Sequence, residues 1–293
     1  MRVWAALALA LAGCAGLDMT SDQPWVAIET IGAPLAPDGG APPTGKPAPA
    51  GPLRVVSYNV QYGPDIPGAV AALAGDPALA GAHVILVQEI EAYPEEGATR
   101  AARFAAALGM GFVYVPARVR DTGTHGLAII SAYPITNVEK MDLPESEAHA
   151  LQRRIAIAAD IEVGGRTLHL IDLHLDTKLN ARERIAQLHP AVIDAPDATL
   201  VGGDFNTSWV AWADGVPILE TTGASDQGPI MDSYMAGLAF DTPTADCGPT
   251  EHMFGIEQRL DALYTRGLGA TFGGVVRAGP SDHWPLWIDV TLP

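Results

Sequence analysis

The chain has 293 residues, 48% of them hydrophobic and 17% charged, a composition that allows a substantial core in one large domain or two small ones. Its 17 Lys and Arg stand against 34 Asp and Glu. The resulting net charge of −17 disfavours a protein that grips long duplex DNA through a basic surface, although a local basic groove would escape a whole-chain count. With only Cys14 and Cys247 present, a disulfide framework is excluded.

The first thirteen residues have the pattern of a secretory signal peptide. Arg2 gives a short positive start, and the alanine- and leucine-rich stretch after it is too brief to span a membrane. The ending Leu11-Ala12-Gly13-Cys14 resembles a bacterial lipobox, which implies that Cys14 is the first mature residue and carries lipid. Ala15 follows it instead of an aspartate, which by the same analogy favours the outer membrane. An ordinary signal peptide cut elsewhere is the alternative.

Residues 14–52 are rich in proline, glycine and alanine and show no amphipathic period. This composition predicts a partly extended tether that holds the rest of the chain off a membrane. The sequence therefore divides into a signal peptide at 1–13, a tether at 14–52 and one domain at 53–293.

Within that domain, polar residues able to do chemistry recur at the ends of apolar, β-rich runs. The predicted strands are 53–60 with Asn59, 84–89 with Glu89, 125–131 with His125, 168–175 with His174, the run entering Asp204 and Asn206, and 259–264 with Asp261. Asp282 and His283 follow near the C-terminus.

The elements between these runs predict the class of fold. Gly164 and Gly165 separate two β-rich runs, which predicts a hairpin with a primed turn. Helices are expected at 68–73, 99–108 and 181–188, and around 231–237. Hairpins mixed with strand-helix-strand units predict an α/β (α+β) protein with antiparallel-rich sheets and helices outside them.

An Asp-His pair and an Asp-x-Asn pair are suited to metal-assisted cleavage of phosphoesters. Carboxylates serve as hard oxygen ligands or proton carriers, while imidazole and carboxamide groups hold the charge that develops on a phosphoryl group. Each pair alone is also typical of a turn. The ordered series of polar strand ends is what favours the catalytic interpretation.

In that order and chemistry, residues 53–293 resemble the endonuclease/exonuclease/phosphatase superfamily of Mg²⁺-dependent phosphohydrolases. The resemblance implies a four-layer α-β-β-α sandwich, in which two packed mixed sheets are flanked by helices and the site lies where strand ends of both sheets converge. It also implies Mg²⁺ (or Mn²⁺) as the cofactor.

The resemblance further implies a role for each residue of the series. Glu89 is the expected metal ligand, joined by Asp282 and Asn59. The expected catalytic residues are His174, Asp204, Asn206, Asp261 and His283, with Asp261 orienting His283. Asn59, His125 and Arg153 are the candidate substrate contacts. Arg153 and its neighbour Arg154 are equally suited to binding a phosphate and to capping the hairpin's exposed face. Gln61 and Leu127 depart from the family's pattern.

We therefore expect a metal-dependent phosphodiesterase or phosphatase, exported, monomeric and anchored through Cys14 in the bacterial envelope. A small-molecule or lipid phosphoester is favoured over duplex DNA as the substrate. Two alternatives remain: a secreted or surface nuclease, and a noncatalytic envelope binding lipoprotein built on a decayed hydrolase scaffold.

Overall fold

The computed structural model describes residues 24–43, 47–145, 152–213, 216–219, 227–253 and 255–293. The predicted signal peptide and Cys14 lie outside the described residues. Among the helices that are described, none is both long and apolar enough to cross a membrane.

The described chain is mainly β-structure. In chain order its strands are β1 (Val26–Ala27), β2 (Asp38–Gly40), β3 (Leu53–Tyr62), β4 (Val84–Ala92), β5 (Gly111–Arg120), β6 (Gly123–Ser131), β7 (Ile135–Asp142), β8 (Ile155–Val163), β9 (Arg166–His174), β10 (Thr199–Asp204), β11 (Val210–Ala213), β12 (Val216–Leu219), β13 (Glu251–Met253), β14 (Ile256–Gln258), β15 (Asp261–Arg266), β16 (Gly269–Val275) and β17 (Leu286–Thr291). The α-helices are α1 (Ile66–Gly75), α2 (Arg100–Leu108), α3 (Ala181–Val192) and α4 (Gln227–Gly237), with short 3₁₀ turns at Ile28–Thr30 and Pro94–Glu96.

Two large mixed sheets form the body of the domain. The seven-stranded sheet has the order β16-β17-β3-β4-β6-β5-β2, and the six-stranded sheet has the order β1-β7-β8-β9-β10-β15. Strands β3 and β4 pair in parallel, as do β9 and β10. The continuous apolar run Val84-Ile85-Leu86-Val87 suits a strand of this kind, because it is buried on both faces.

The helices cover the outer faces of the two sheets. Helices α1 and α2 pack on the seven-stranded sheet, while α3 and α4 lie together on the other. Their ends follow local sequence signals: Asp65 accepts a hydrogen bond from Gly68 N, Thr99 accepts one from Ala102 N, and α2 stops at Gly109 in a left-handed conformation. The predicted four-layer sandwich is therefore confirmed.

The predicted hairpin forms as expected. Strands β8 and β9 pair in register up to Val163 and Arg166, and Gly164 and Gly165 have φ values of 62° and 78°. Both values belong to the left-handed region that a type I′ turn requires, which explains the glycine pair.

Part of the predicted tether is folded onto the domain. Val26–Ala27 pairs with β7 at the edge of one sheet, and Asp38–Gly40 pairs with β5 at the edge of the other. These edge strands are two and three residues long, and backbone pairing of that length needs no hydrophobic periodicity. Within residues 24–43, the proline- and glycine-rich composition therefore covers sheet edges.

Candidate active site

Three of the predicted catalytic residues lie side by side on the six-stranded sheet. Asp204 of β10 is the register partner of His174 on β9 and of Asp261 on β15. Residues in register project from the same face of a sheet, so the three side chains form a row. All three are buried, and the row faces the interface between the sheets.

The seven-stranded sheet faces this row with strands whose pairing is interrupted. The β3–β4 register shifts between Asn59 and Tyr62, and the β4–β6 register shifts between Val87 and Ile90, on either side of Glu89. Glu89 has a φ of 57°, a left-handed backbone that is uncommon outside glycine. Bulges of this kind redirect side chains, and strained backbone concentrates at functional sites. The irregularities thus turn Asn59 and Glu89 toward the site.

One atom, Oδ2 of Asp204, joins the two sheets at the centre of the site. It accepts a hydrogen bond from Asn59 Nδ2 at 3.0 Å, and it lies 3.3 Å from Nε2 of His174 and 3.7 Å from Nε2 of His283. The structure therefore brings together four residues that are far apart in the sequence.

His283 and Asp261 form a buried pair. Nδ1 of His283 lies 2.8 Å from Oδ2 of Asp261, and both side chains are almost fully enclosed. Burial alone disfavours the imidazolium, but the facing carboxylates of Asp261 and Asp204 outweigh it and raise the pKa of His283 well above its usual value. His283 is therefore held as a cation that points its second nitrogen toward Asp204.

The pKa values of Asp204 and His174 are shifted in opposite directions. Burial raises the pKa of Asp204 to about 7, although His283 opposes the rise. Burial and the adjacent Arg154 guanidinium hold the pKa of His174 well below its usual value. Arg154 Nη1 lies 2.9 Å from Nδ1 and 3.0 Å from Nε2 of His174, and because arginine can only donate, this contact disfavours a second proton on the ring.

Glu89, Asp282 and Asn59 offer oxygen atoms suited to a hard divalent cation. Gln61 Nε2 donates to Asp282 Oδ2 at 2.9 Å, and Gln61 N donates to Asn59 Oδ1 at 3.0 Å. Burial, with a contribution from the nearby charge of Glu89, raises the pKa of Asp282. Two neighbouring carboxylates and an amide oxygen in a half-buried site fit a divalent cation.

A second group, Asp204, Asp261 and His283, is also compact enough to hold a metal ion. In this group the imidazole already donates to Asp261 and carries the positive charge that the two carboxylates attract. A metal there would have to displace that proton and break the 2.8 Å hydrogen bond. We therefore interpret this group as proton-handling and the Glu89 group as the candidate metal site.

Asn206 supports Asp204 directly. Its backbone N donates to Asp204 Oδ1 at 2.8 Å, its Nδ2 donates to the carbonyl of Leu175 at 2.9 Å, and its φ is 51°. One amide hydrogen of Asn206 is thus used to fix the loop after β10.

The candidate substrate contacts separate into two environments. His125 is buried, with Nδ1 3.5 Å from Glu91 Oε1, and burial lowers its pKa. The Arg153 guanidinium pairs with Asp142, and 41% of its side chain is exposed. Its neighbour Arg154 is the one that turns inward onto His174. Neighbouring residues of an extended segment point in opposite directions, so only one of the two arginines can do so.

Two residues that adjoin the centre, Arg118 and Glu251, have no clear signal in the sequence. Glu251 lies beside His283 in a short antiparallel bridge, and Thr250 Oγ1 accepts hydrogen bonds from the backbone of Leu260 and Asp261. Alternation in Ala117-Arg118-Val119-Arg120 indicates a strand, but it does not show which end of that strand meets the site.

Comparisons with known proteins agree with this fold. A model of the "Endonuclease/Exonuclease/phosphatase family" matches residues 56–283. A search of curated protein sequences gives no match. Among solved structures, a family protein from Leptotrichia buccalis C-1013-b is 13% identical with a TM-score of 0.62, over 82% of this chain and 100% of that one.

Two further structures carry more specific descriptions. The human Nocturnin catalytic domain, with a bound sulfate anion, is 15% identical with a TM-score of 0.58, over 88% of this chain and 97% of that one. A mannosyl-6-phosphatase from Bacteroides thetaiotaomicron VPI-5482 is 16% identical with a TM-score of 0.54, over 82% of this chain and 100% of that one. At these identities the likeness establishes the fold.

Proposed function

Since the chain belongs to the endonuclease/exonuclease/phosphatase family, we propose that it is a metal-dependent hydrolase of phosphoester bonds. The observation that carries the proposal is the position of Asp204 Oδ2, which a strand-end Asn59, a neutral His174 and a cationic His283 all approach within 3.7 Å. A scaffold that only binds a ligand has no need to hold a buried carboxylate with a pKa near neutrality between one neutral and one cationic imidazole.

The residues of the centre divide the chemistry of hydrolysis among them. Water attacks phosphorus, the new P–O bond forms, the ester P–O bond breaks, and the departing alkoxide oxygen takes a proton. Asp204 lies where it can align or deprotonate the water, or protonate the leaving oxygen. His283, charged and fixed by Asp261, and His174 donate toward the phosphoryl oxygens and stabilise their developing charge.

The metal belongs to the seven-stranded side of the centre. Glu89 and Asp282 would hold Mg²⁺ or Mn²⁺ with Asn59 close by, and the bound ion would polarise a phosphoryl oxygen as a Lewis acid. Gln61 keeps Asp282 oriented through its 2.9 Å hydrogen bond, an uncharged contact where some family nucleases have an acidic residue.

We place the enzyme at a bacterial envelope, anchored through Cys14 as a monomer. The support is the lipobox-like sequence before Cys14 and the proline- and glycine-rich segment after it. A Cys14→Ser variant should move from the membrane fraction to the soluble fraction after cell lysis. Retention of that variant in membranes would contradict the anchor and leave the catalytic proposal intact.

Metal-dependent hydrolysis is tested on two chromogenic esters with the same leaving group, p-nitrophenyl phosphate and methyl p-nitrophenyl phosphate. The full chain should release p-nitrophenol in Mg²⁺ or Mn²⁺, lose that activity in excess EDTA and regain it when the metal is restored. Full activity in the chelator would refute the metal mechanism. No hydrolysis of either ester under any metal would refute the function.

A further inference from the structure

A small pocket adjoins His174. Its polar lining consists of Arg118 from β5, His125 from β6, Arg153 and Arg154 just before β8, and His174 itself. Its volume is about 10 Å³, which is about the room that one water-sized atom occupies. The pocket therefore accepts a single oxygen atom and is too small for an alkyl group.

The cationic groups of this pocket lack full partners. Arg118 Nη1 is buried without a hydrogen bond, and among the described residues no carboxylate oxygen lies within 4 Å of the Arg118 guanidinium. Arg154 is 5% exposed, its Nε has no hydrogen bond, and its ion-pair contact with Asp176 is 3.8 Å long. Nδ1 of His125 is likewise buried without a hydrogen bond.

The acidic group that faces His125, Glu91, is already engaged elsewhere. Glu91 contacts Arg120 at 2.7 Å, Arg100 at 3.3 Å and Tyr93 at 2.9 Å, which leaves its 3.5 Å approach to His125 as the weakest of its contacts. Burial, together with the charges of Arg154 and Arg120, lowers the pKa of Arg118. Arg118 and Arg154 are like charges that are buried without full partners, and they destabilise the site unless an anion binds beside them.

Resting on the proposed function, we infer that this pocket receives an unesterified, charged oxygen of the scissile phosphate, so that the preferred substrate is a phosphomonoester dianion and not a phosphodiester. A monoester has three non-bridging oxygens and two negative charges at neutral to alkaline pH, whereas a diester has two such oxygens and one charge. Arg118 and Arg154 supply the additional positive charge that a dianion needs, although the chain as a whole carries a net charge of −17.

The first test measures binding without catalysis. Inorganic phosphate and dimethyl phosphate are titrated calorimetrically into the full chain at pH 8 in Mg²⁺. Wild-type protein should bind phosphate at least roughly 10-fold more tightly than dimethyl phosphate, as charge-assisted hydrogen bonds of ordinary strength allow. Equal affinities would overturn the inference, and this comparison needs no variant to fold.

The second test assigns the preference to the pocket. Arg118→Gln should lower kcat/KM for p-nitrophenyl phosphate by roughly 10- to 100-fold and leave methyl p-nitrophenyl phosphate within about 3-fold, while Arg118→Lys should recover part of the loss. Arg103→Gln is the matched control, because Arg103 lies on α2, is 46% exposed and pairs with Glu96, which Arg100 also contacts. Equal losses on both esters in Arg118→Gln would overturn the inference.

The two proposals fail in different ways. Hydrolysis of both esters without a preference for the monoester, together with equal phosphate and dimethyl phosphate binding, refutes the pocket assignment and keeps the hydrolase. Selective phosphate binding that Arg118→Gln abolishes, in a protein that hydrolyses neither ester, supports the pocket and refutes the hydrolase.

Discussion

Breaking the contact between His283 and Asp261 should reduce hydrolysis severely, and the two residues should act as one unit. In Asp261→Asn the 2.8 Å contact loses its negative acceptor, so the pKa of His283 falls and the ring is free to change its tautomer. In His283→Ala the cation that faces Asp204 disappears. Each change should lower kcat/KM by roughly 10²-fold or more, as removal of a group that stabilises transition-state charge does.

The coupling between the two changes can be estimated from the structure. Both side chains are buried, with His283 6% and Asp261 2% exposed, so solvent does not screen the hydrogen bond. A hydrogen bond to a charged group contributes about 1.5–3 kcal/mol, which corresponds to roughly 10- to 150-fold in rate. The double variant should therefore lose less than the product of the two single losses by about this factor.

A double-mutant cycle on kcat/KM for p-nitrophenyl phosphate in saturating Mg²⁺ measures this coupling. Asp289→Asn is the matched control: Asp289 pairs with Arg54 at 2.9 Å between β17 and β3, away from the site, and its loss should leave kcat/KM unchanged. Circular dichroism verifies that each variant is folded. Strictly multiplicative losses, with a coupling below about 0.5 kcal/mol, would refute the pairing as the source of the effect.

Three further outcomes test other parts of the structure. Glu89→Gln should weaken the activating effect of Mg²⁺, seen as a shift of the metal titration to higher concentration at unchanged melting temperature; an unaltered titration would exclude Glu89 as a ligand. Burial raises the pKa of Glu251 to about 7, so the folded state gains stability from the bound proton below the unfolded-state pKa and loses it as pH rises through 7. Glu251→Gln should therefore stabilise the protein by up to about 3 kcal/mol at pH 8, observed as a higher melting temperature, and by little at pH 5; an equal gain at both pH values would contradict the assignment. Long duplex DNA should be a poor substrate at low salt that improves as moderate salt screens the repulsion; fast cleavage that declines steeply with salt would favour the nuclease alternative.

The sequence indicates candidate site residues where each one stands at one end of an apolar run. His174, Asp204 and Asp261 belong to strands that a run of hydrophobic residues reveals, and their adjacency follows once the strands pair in register. The β8–β9 hairpin is predicted because glycine at a tight turn leaves a local trace in the sequence, whereas the four-layer sandwich follows from the family resemblance.

The remaining parts of the site depend on pairing that no local pattern encodes. Arg153 and Arg154 are adjacent and chemically identical. Which of them is buried depends only on which side chain points inward as the chain enters β8. Arg118 reaches the site because β5 pairs with β6 through a register shift between Pro116 and Arg118. A shift of one residue reverses which face a side chain occupies, and that choice is made by the neighbouring strand.

The very short strands Val26–Ala27 and Asp38–Gly40 illustrate a second limit. Backbone hydrogen bonding holds them to the sheet edges, so their side chains need no particular pattern, and a composition rich in proline and glycine still predicts a tether. Their packing depends on where the sheets end, which is a property of the folded domain.

Because hydrogen bonds of the site cross between the two sheets, activity should depend on how the sheets are aligned. Asn59 donates to Asp204 from one sheet to the other, Asp261 meets His283 across the same interface, and deeper inside Gln88 Nε2 donates to Asp172 at 2.6 Å. Such contacts tolerate displacements of only a few tenths of an ångström, whereas the apolar contacts around them tolerate more. As the protein is warmed, sliding of one sheet over the other should therefore abolish turnover while each sheet still retains its own backbone hydrogen bonds. Loss of activity should then precede loss of the far-ultraviolet circular dichroism signal.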